Sequence, residues 1–146
     1  NNNYLIMGVD FGQSRESDDK TSFHIIERSK DNILRHRYSR TLNKKYFPTF
    51  PAQAEEIVKI ARQFKINKMN CDETGLGLGI VPLIRKLAPE LNVEGIAFTT
   101  QVKEEMVMNL KPHDDNFWAF ALAAREGVFR HFAMYTIDAL LKGDIQ

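Results

Sequence analysis

The sequence predicts an α/β domain in which a mixed central sheet of about five strands is flanked by helices. Three observations carry this. The chain opens with short apolar and β-branched runs bounded by turn residues. From Pro51 the apolar residues change to helical spacing. Beyond that point strand-like and helix-like segments alternate. Antiparallel pairing is expected among the first three strands and parallel pairing in the later strand–helix–strand units, which makes the sheet mixed.

The run Tyr4-Leu5-Ile6-Met7-Gly8-Val9-Asp10 is apolar until it ends in an acid, as a buried first strand does. The polar stretch from Gln13 to Lys20 is a turn. Thr21 to Arg28 and Ile33 to Leu42 are rich in β-branched and aromatic residues and form a hairpin about Ser29-Lys30-Asp31-Asn32. From Pro51 to Lys65, Ala54, Ile57, Val58, Ala61 and Phe64 share one helical face, while Glu55, Glu56, Lys59 and Arg62 take the other. Thr49 or Phe50 precedes Pro51, which suits a first helical position. Ile66 to Cys71 is a strand ending at Asp72, and Gly75-Leu76-Gly77-Leu78-Gly79 opens a helix to about Ala88. Those glycines fit neither a Walker motif nor a dinucleotide fingerprint and serve a sharp turn. Val93 to Thr99 is a fifth strand, and Asp114 to Arg125 and Phe129 to Leu141 are helices. Phe117, Phe120, Ala121 and Ala124 fall at core-helix spacing, with Trp118 packing beside them.

A chain of 146 residues with 43% hydrophobic content can bury one real core. With no repeat, low-complexity tract or linker, residues 1–146 read as one domain. The abrupt step at Asn109-Leu110-Lys111-Pro112-His113 suggests a segment absent near 110–111. A formal charge of +1 does not by itself announce a polyanionic partner. Cys71 is the only cysteine, which rules out an internal disulfide and a cysteine zinc cluster and suits an intracellular protein. No apolar run of about 18 residues points to a membrane span, and Asn1-Asn2-Asn3 does not read as a signal peptide.

Asp10 ends the first strand, Asp72 ends the fourth, and Asp114-Asp115 begin a late helix. In an α/β sheet such positions gather at one edge. Carboxylates gathered there repel unless a cation neutralises them, and hard Mg²⁺ or Mn²⁺ prefers their oxygens. Two such ions about 3.5–4 Å apart activate a water and stabilise a leaving phosphodiester oxygen. The competing readings are a turn residue after a strand and, for Asp114, a helix N-cap.

Three segments carry a resemblance. Met7-Gly8-Val9-Asp10-Phe11-Gly12 is followed by Asp18-Asp19-Lys20-Thr21; then comes Cys71-Asp72-Glu73-Thr74-Gly75-Leu76-Gly77; then His113-Asp114-Asp115-Asn116-Phe117-Trp118-Ala119-Phe120-Ala121-Leu122-Ala123. In this order they resemble the C-terminal nuclease domain of the viral terminase large subunit. The resemblance implies a ribonuclease H-like fold and an endonuclease that cuts double-stranded DNA during genome packaging. It implies Asp10 as the ligand bridging two Mg²⁺ or Mn²⁺ ions, Asp72 as the second acid, and Asp114 or Asp115 as the third. Asp19 and Glu73 would support these ligands or stand as solvated turn residues. His113 would touch a phosphate or a metal, or cap the helix. An ATPase domain on the same full-length chain and portal or small terminase subunits would be partners, and the host cytoplasm the location. The family usually has a longer segment, including a β-hairpin, before His-Asp-Asp; here Val102 to Leu110 runs almost directly into Lys111-Pro112-His113, as in a compact relative or a chain with a loop closed up.

From Asn32 to Ala54 no acid occurs, while Arg35, Arg37, Arg40, Lys44 and Lys45 do, interleaved with Tyr38, Tyr46 and Phe47. This flank suits DNA phosphates, or a strand edge kept soluble by charge. Lys103, after the fifth strand, is a further candidate for DNA contact. Three rivals remain open. A Holliday-junction resolvase or transposase-like nuclease shares the chemistry. An actin-like ATPase or kinase fragment shares Gly8-Val9-Asp10-Phe11-Gly12. A non-catalytic DNA-binding module would keep the fold alone.

Overall fold

The computed structural model describes residues 3–11, 20–97, 99–107 and 115–124. Among these residues five strands form one sheet: β1 (Tyr4–Asp10), β2 (Thr21–Arg28), β3 (Leu34–Leu42), β4 (Lys68–Asp72) and β5 (Val93–Ile96). Their order across the sheet is β3-β2-β1-β4-β5. β1, β2 and β3 pair antiparallel, whereas β4 lies parallel to β1 and β5 parallel to β4. The sheet is therefore mixed as expected, and β1 is the strand where the two pairing modes meet.

Among the described residues four helices accompany it: α1 (Phe50–Phe64), α2 (Gly77–Leu87), α3 (Thr100–Val107) and α4 (Asp115–Ala124). Thr49 caps α1, its hydroxyl accepting the Ala52 N–H, with Pro51 in the first turn. Lys65 ends it in the left-handed conformation at φ 55°. The fifth strand ends at Ile96, short of the expected Thr99. Thr99 instead accepts the Val102 N–H at 3.2 Å and starts α3, a helix the apolar pattern did not indicate. The segment expected as a helix from Phe129 to Leu141, and the step at 110–111, lie outside the described residues. Among the described residues no helix is long and apolar enough to cross a membrane.

Strand alternation divides the core in two. Met7, Val9, Phe23, Ile25, Met69 and Cys71 join Ala54, Ile57, Ala61, Ile80 and Ile84 of α1 and α2 in one apolar cluster. The residues between them face the other way, where α4 packs on β1, β2 and β4. Ala119, Ala121, Leu122, Ala123 and Ala124 of α4 are buried. Gly8 makes this contact possible, because a Cβ there would overlap the Ala119 carbonyl oxygen and the Ala123 amide. Asn70, level with Gly8 on β4, donates its Nδ2 hydrogen to the Leu122 carbonyl at 2.8 Å.

Candidate active site

The parallel register of β1 and β4 pairs Gly8 with Asn70 and Val9 with Cys71, which brings Asp10 and Asp72 level at the strand ends. Alternation puts both carboxyls on the side of Gly8 and Asn70, the side covered by α4. Asp72 is buried, and burial pushes its carboxyl above the usual range. Opposing that rise are hydrogen bonds from Thr74, the Lys103 ammonium, and a hydrogen bond with the Asp10 carboxyl. The Thr74 N–H donates to Asp72 Oδ1 at 3.0 Å, and the Thr74 hydroxyl donates to the same oxygen. The turn after β4 thus fixes one carboxylate oxygen of Asp72. Gly77 lets α2 begin tight beneath it, since a Cβ there would overlap the Asp72 carbonyl oxygen.

Asp115 is the first residue of α4, one turn before the Ala119 that rests on Gly8. Asp19, His113 and Asp114 lie outside the described residues. Among the described residues no group of three or more His, Cys, Asp or Glu forms a metal cluster. What the structure brings together is the pair Asp10 and Asp72, with Lys103 of α3 beside them.

Glu73 goes elsewhere. As the residue after Asp72 it turns to the opposite side of the sheet, where its carboxylate covers Gly95 and meets Arg85 of α2 at 3.3 Å. The basic flank also divides. Thr41 of β3 pairs with Ser22, which pairs with Asp10, so Arg40, Lys44 and Lys45 lie toward the acidic end of the sheet. Arg35 pairs with Glu27 and Glu27 with Leu5, near the far end. Arg37 lies toward that end as well, in an ion pair with Glu27 at 3.0 Å, while Arg40 meets Glu56 of α1 at 2.8 Å. Lys45 stacks over Tyr46. Cys71 is buried on the α1–α2 side, and burial pushes its thiol up, which leaves it inert.

Two residues of the site escaped the sequence. Thr74 had a signal, since a Thr two residues after an Asp commonly closes a turn. Ser22 had none. It stands directly opposite Asp10 on β2, is 1% exposed, and its hydroxyl has no hydrogen-bond partner among the described residues.

A mixed sheet in the order 3-2-1-4-5, flanked by helices and with acids closing its first and fourth strands, has the ribonuclease H-like fold. Its solved neighbours are nucleases of that fold. The large terminase nuclease from thermophilic phage G20c, solved with bound cobalt, has a TM-score of 0.65 at 16% identity over 86% of this chain and 82% of that chain. Its zinc-bound form matches over 87% and 83% with the same TM-score of 0.65. T. thermophilus RuvC in complex with Holliday junction substrate has a TM-score of 0.56 at 15% identity over 82% of this chain and 90% of that one. In sequence, the chain is similar to the terminase ATPase subunit of Escherichia phage P2, 34% identical over 62 residues. That match covers 42% of this chain and 10% of the phage protein. No protein-family model matches.

Proposed function

We propose that this chain is a divalent-metal-dependent endodeoxyribonuclease of the terminase large-subunit type, acting on double-stranded DNA during viral genome packaging. The observation that carries the reading is the Asp10–Asp72 pair, level at adjacent strand ends and in hydrogen-bonding contact. Two carboxyls so close are unfavourable when both are ionised, and a hard cation relieves that repulsion. The donor set therefore fits Mg²⁺ or Mn²⁺. Asp10 and Asp72 would hold two such ions, together with Asp114 or Asp115. Metal bound there supplies an activated water and stabilises the leaving oxygen. Thr74 holds Asp72 in its ligating orientation. Lys103, Arg40, Lys44 and Lys45 attract the DNA backbone to that edge. An ATPase domain on a longer chain and portal or small terminase subunits complete the packaging reading, in keeping with the partial match to the phage P2 protein. The test is plasmid cleavage in Mn²⁺ beside EDTA, with Asp10→Asn as the control that removes the central ligand. Undiminished cutting by the variant overturns the assignment.

A junction resolvase is the second reading, favoured by the likeness to RuvC. Preferential cutting of a four-way junction over linear duplex would select it.

A further inference from the structure

Ser22 carries a buried hydroxyl beside the acidic pair. It is 1% exposed, lies opposite Asp10 in the antiparallel β1–β2 register, and has no hydrogen-bond partner among the described residues. Residues directly opposite in such a pair carry their side chains on the same face, with Cβ atoms about 4.5–5.5 Å apart. That separation lets a serine hydroxyl reach an aspartate carboxylate. A buried polar group left unsatisfied costs about 1–3 kcal/mol, so the position calls for a compensating state of the protein. Asp10 in this structure is in hydrogen-bonding contact with Asp72. When cations neutralise the two acids, the carboxyls no longer need each other, and an Asp10 oxygen is released to accept from its cross-strand neighbour.

We propose that Ser22 is a positioning residue for the metal site, its hydroxyl donating a hydrogen bond to the Asp10 carboxylate in the metal-loaded protein. The inference rests on the nuclease reading above. It adds a group that touches neither metal nor DNA and acts only by fixing the ligand that both ions share. Ser22 gains its acceptor only as Asp10 turns from Asp72 to a cation, so metal binding and Ser22 satisfaction are coupled.

The experiment is Mn²⁺ binding by the full chain, followed by electron paramagnetic resonance, with thermal melts in EDTA. Ser22→Ala should weaken Mn²⁺ binding about 10–100-fold, the usual effect of removing a group that orients a metal ligand. Its EDTA melt should be unchanged or higher, because an unsatisfied buried hydroxyl is gone. Ser22→Thr, which keeps the hydroxyl, should bind Mn²⁺ within a few-fold of wild type. Unchanged Mn²⁺ affinity in Ser22→Ala, with binding lost in Asp10→Asn, overturns this inference and leaves the nuclease reading standing. A wild-type chain that takes up no Mn²⁺ overturns both.

Discussion

The two sides of the sheet are built from alternate residues of the same strands and have opposite characters. On the α1–α2 side, Met7, Val9, Phe23, Ile25, Met69 and Cys71 meet apolar helix residues. On the α4 side the same strands present Gly8, Asp10, Ser22, His24, Asn70 and Asp72. One side buries apolar groups alone, and the other buries polar groups among the apolar ones and admits the close approach of a helix. If the Asp10–Asp72 pair is the reactive centre, stability and chemistry are separable by strand parity, and substitutions test this.

The largest effect is expected on the α4 side. Asp10→Asn should abolish cleavage, because the near-isosteric amide keeps the packing and loses the charge that metal needs. Its melt in EDTA should be normal or higher, since one of two crowded carboxyls is neutralised. A variant that is equally destabilised would show that chemistry and stability are not divided as described.

On the other side, Ile57 is fully buried. Ile57→Ala should cost about 2–5 kcal/mol in denaturant unfolding. Mn²⁺ affinity of the folded variant should stay within a few-fold of wild type, and a large loss would break the separation. Gly8→Ala is the intermediate case, because the added methyl meets α4 backbone rather than a side chain that can turn away. A cost of about 1–3 kcal/mol is expected. Here, unlike at Ile57, cleavage should fall as well, because Asp115 opens the displaced helix.

The smallest effect concerns acid. His36 of β3 contacts His24 ring to ring, Nδ1 of His24 lying 2.9 Å from Nε2 of His36. Burial lowers the His36 imidazole from 6.5 to about 4. Unfolding restores its ordinary basicity, so its contribution to stability is complete above about 6.5 and is lost as pH falls toward 4. The melting temperature should therefore drop between pH 7 and pH 5, and His36→Gln should flatten that slope. An equal slope in the variant would place the acid sensitivity elsewhere.

The elements with strong periodicity were legible from the sequence. The β1, β2 and α1 segments emerge with nearly the bounds that alternation and the Pro51 start imply. The α3 segment was not, because Thr-Gln-Val-Lys-Glu-Glu-Met-Val carries no continuous apolar stripe, and only its Thr99 cap announces it. At the site, strand-terminal acids could be read one at a time, but that Asp10 and Asp72 stand level depends on a register between segments far apart in sequence. Glu73 shows the converse. Proximity to Asp72 suggested a shared site, whereas strand alternation sends adjacent residues to opposite faces. The basic residues were visible as a group, but only pairing with β2 distinguishes Arg40 from Arg35.

The junction between antiparallel and parallel pairing at β1 also bears on how the molecule assembles. The β1–β2–β3 meander joins segments close in the chain, while β4 must return to β1 after α1 has intervened. Closing that longer loop carries the larger entropic cost, so the β1–β4 seam is the slower one to zip. Asp10 and Asp72 lie on opposite sides of that seam. A slip of one residue along it would swing Asp72 into the apolar layer and bring Glu73 to the α4 side. Folding and registration thus become the same event: until the β1–β4 seam is closed in register, Asp10 and Asp72 do not stand level.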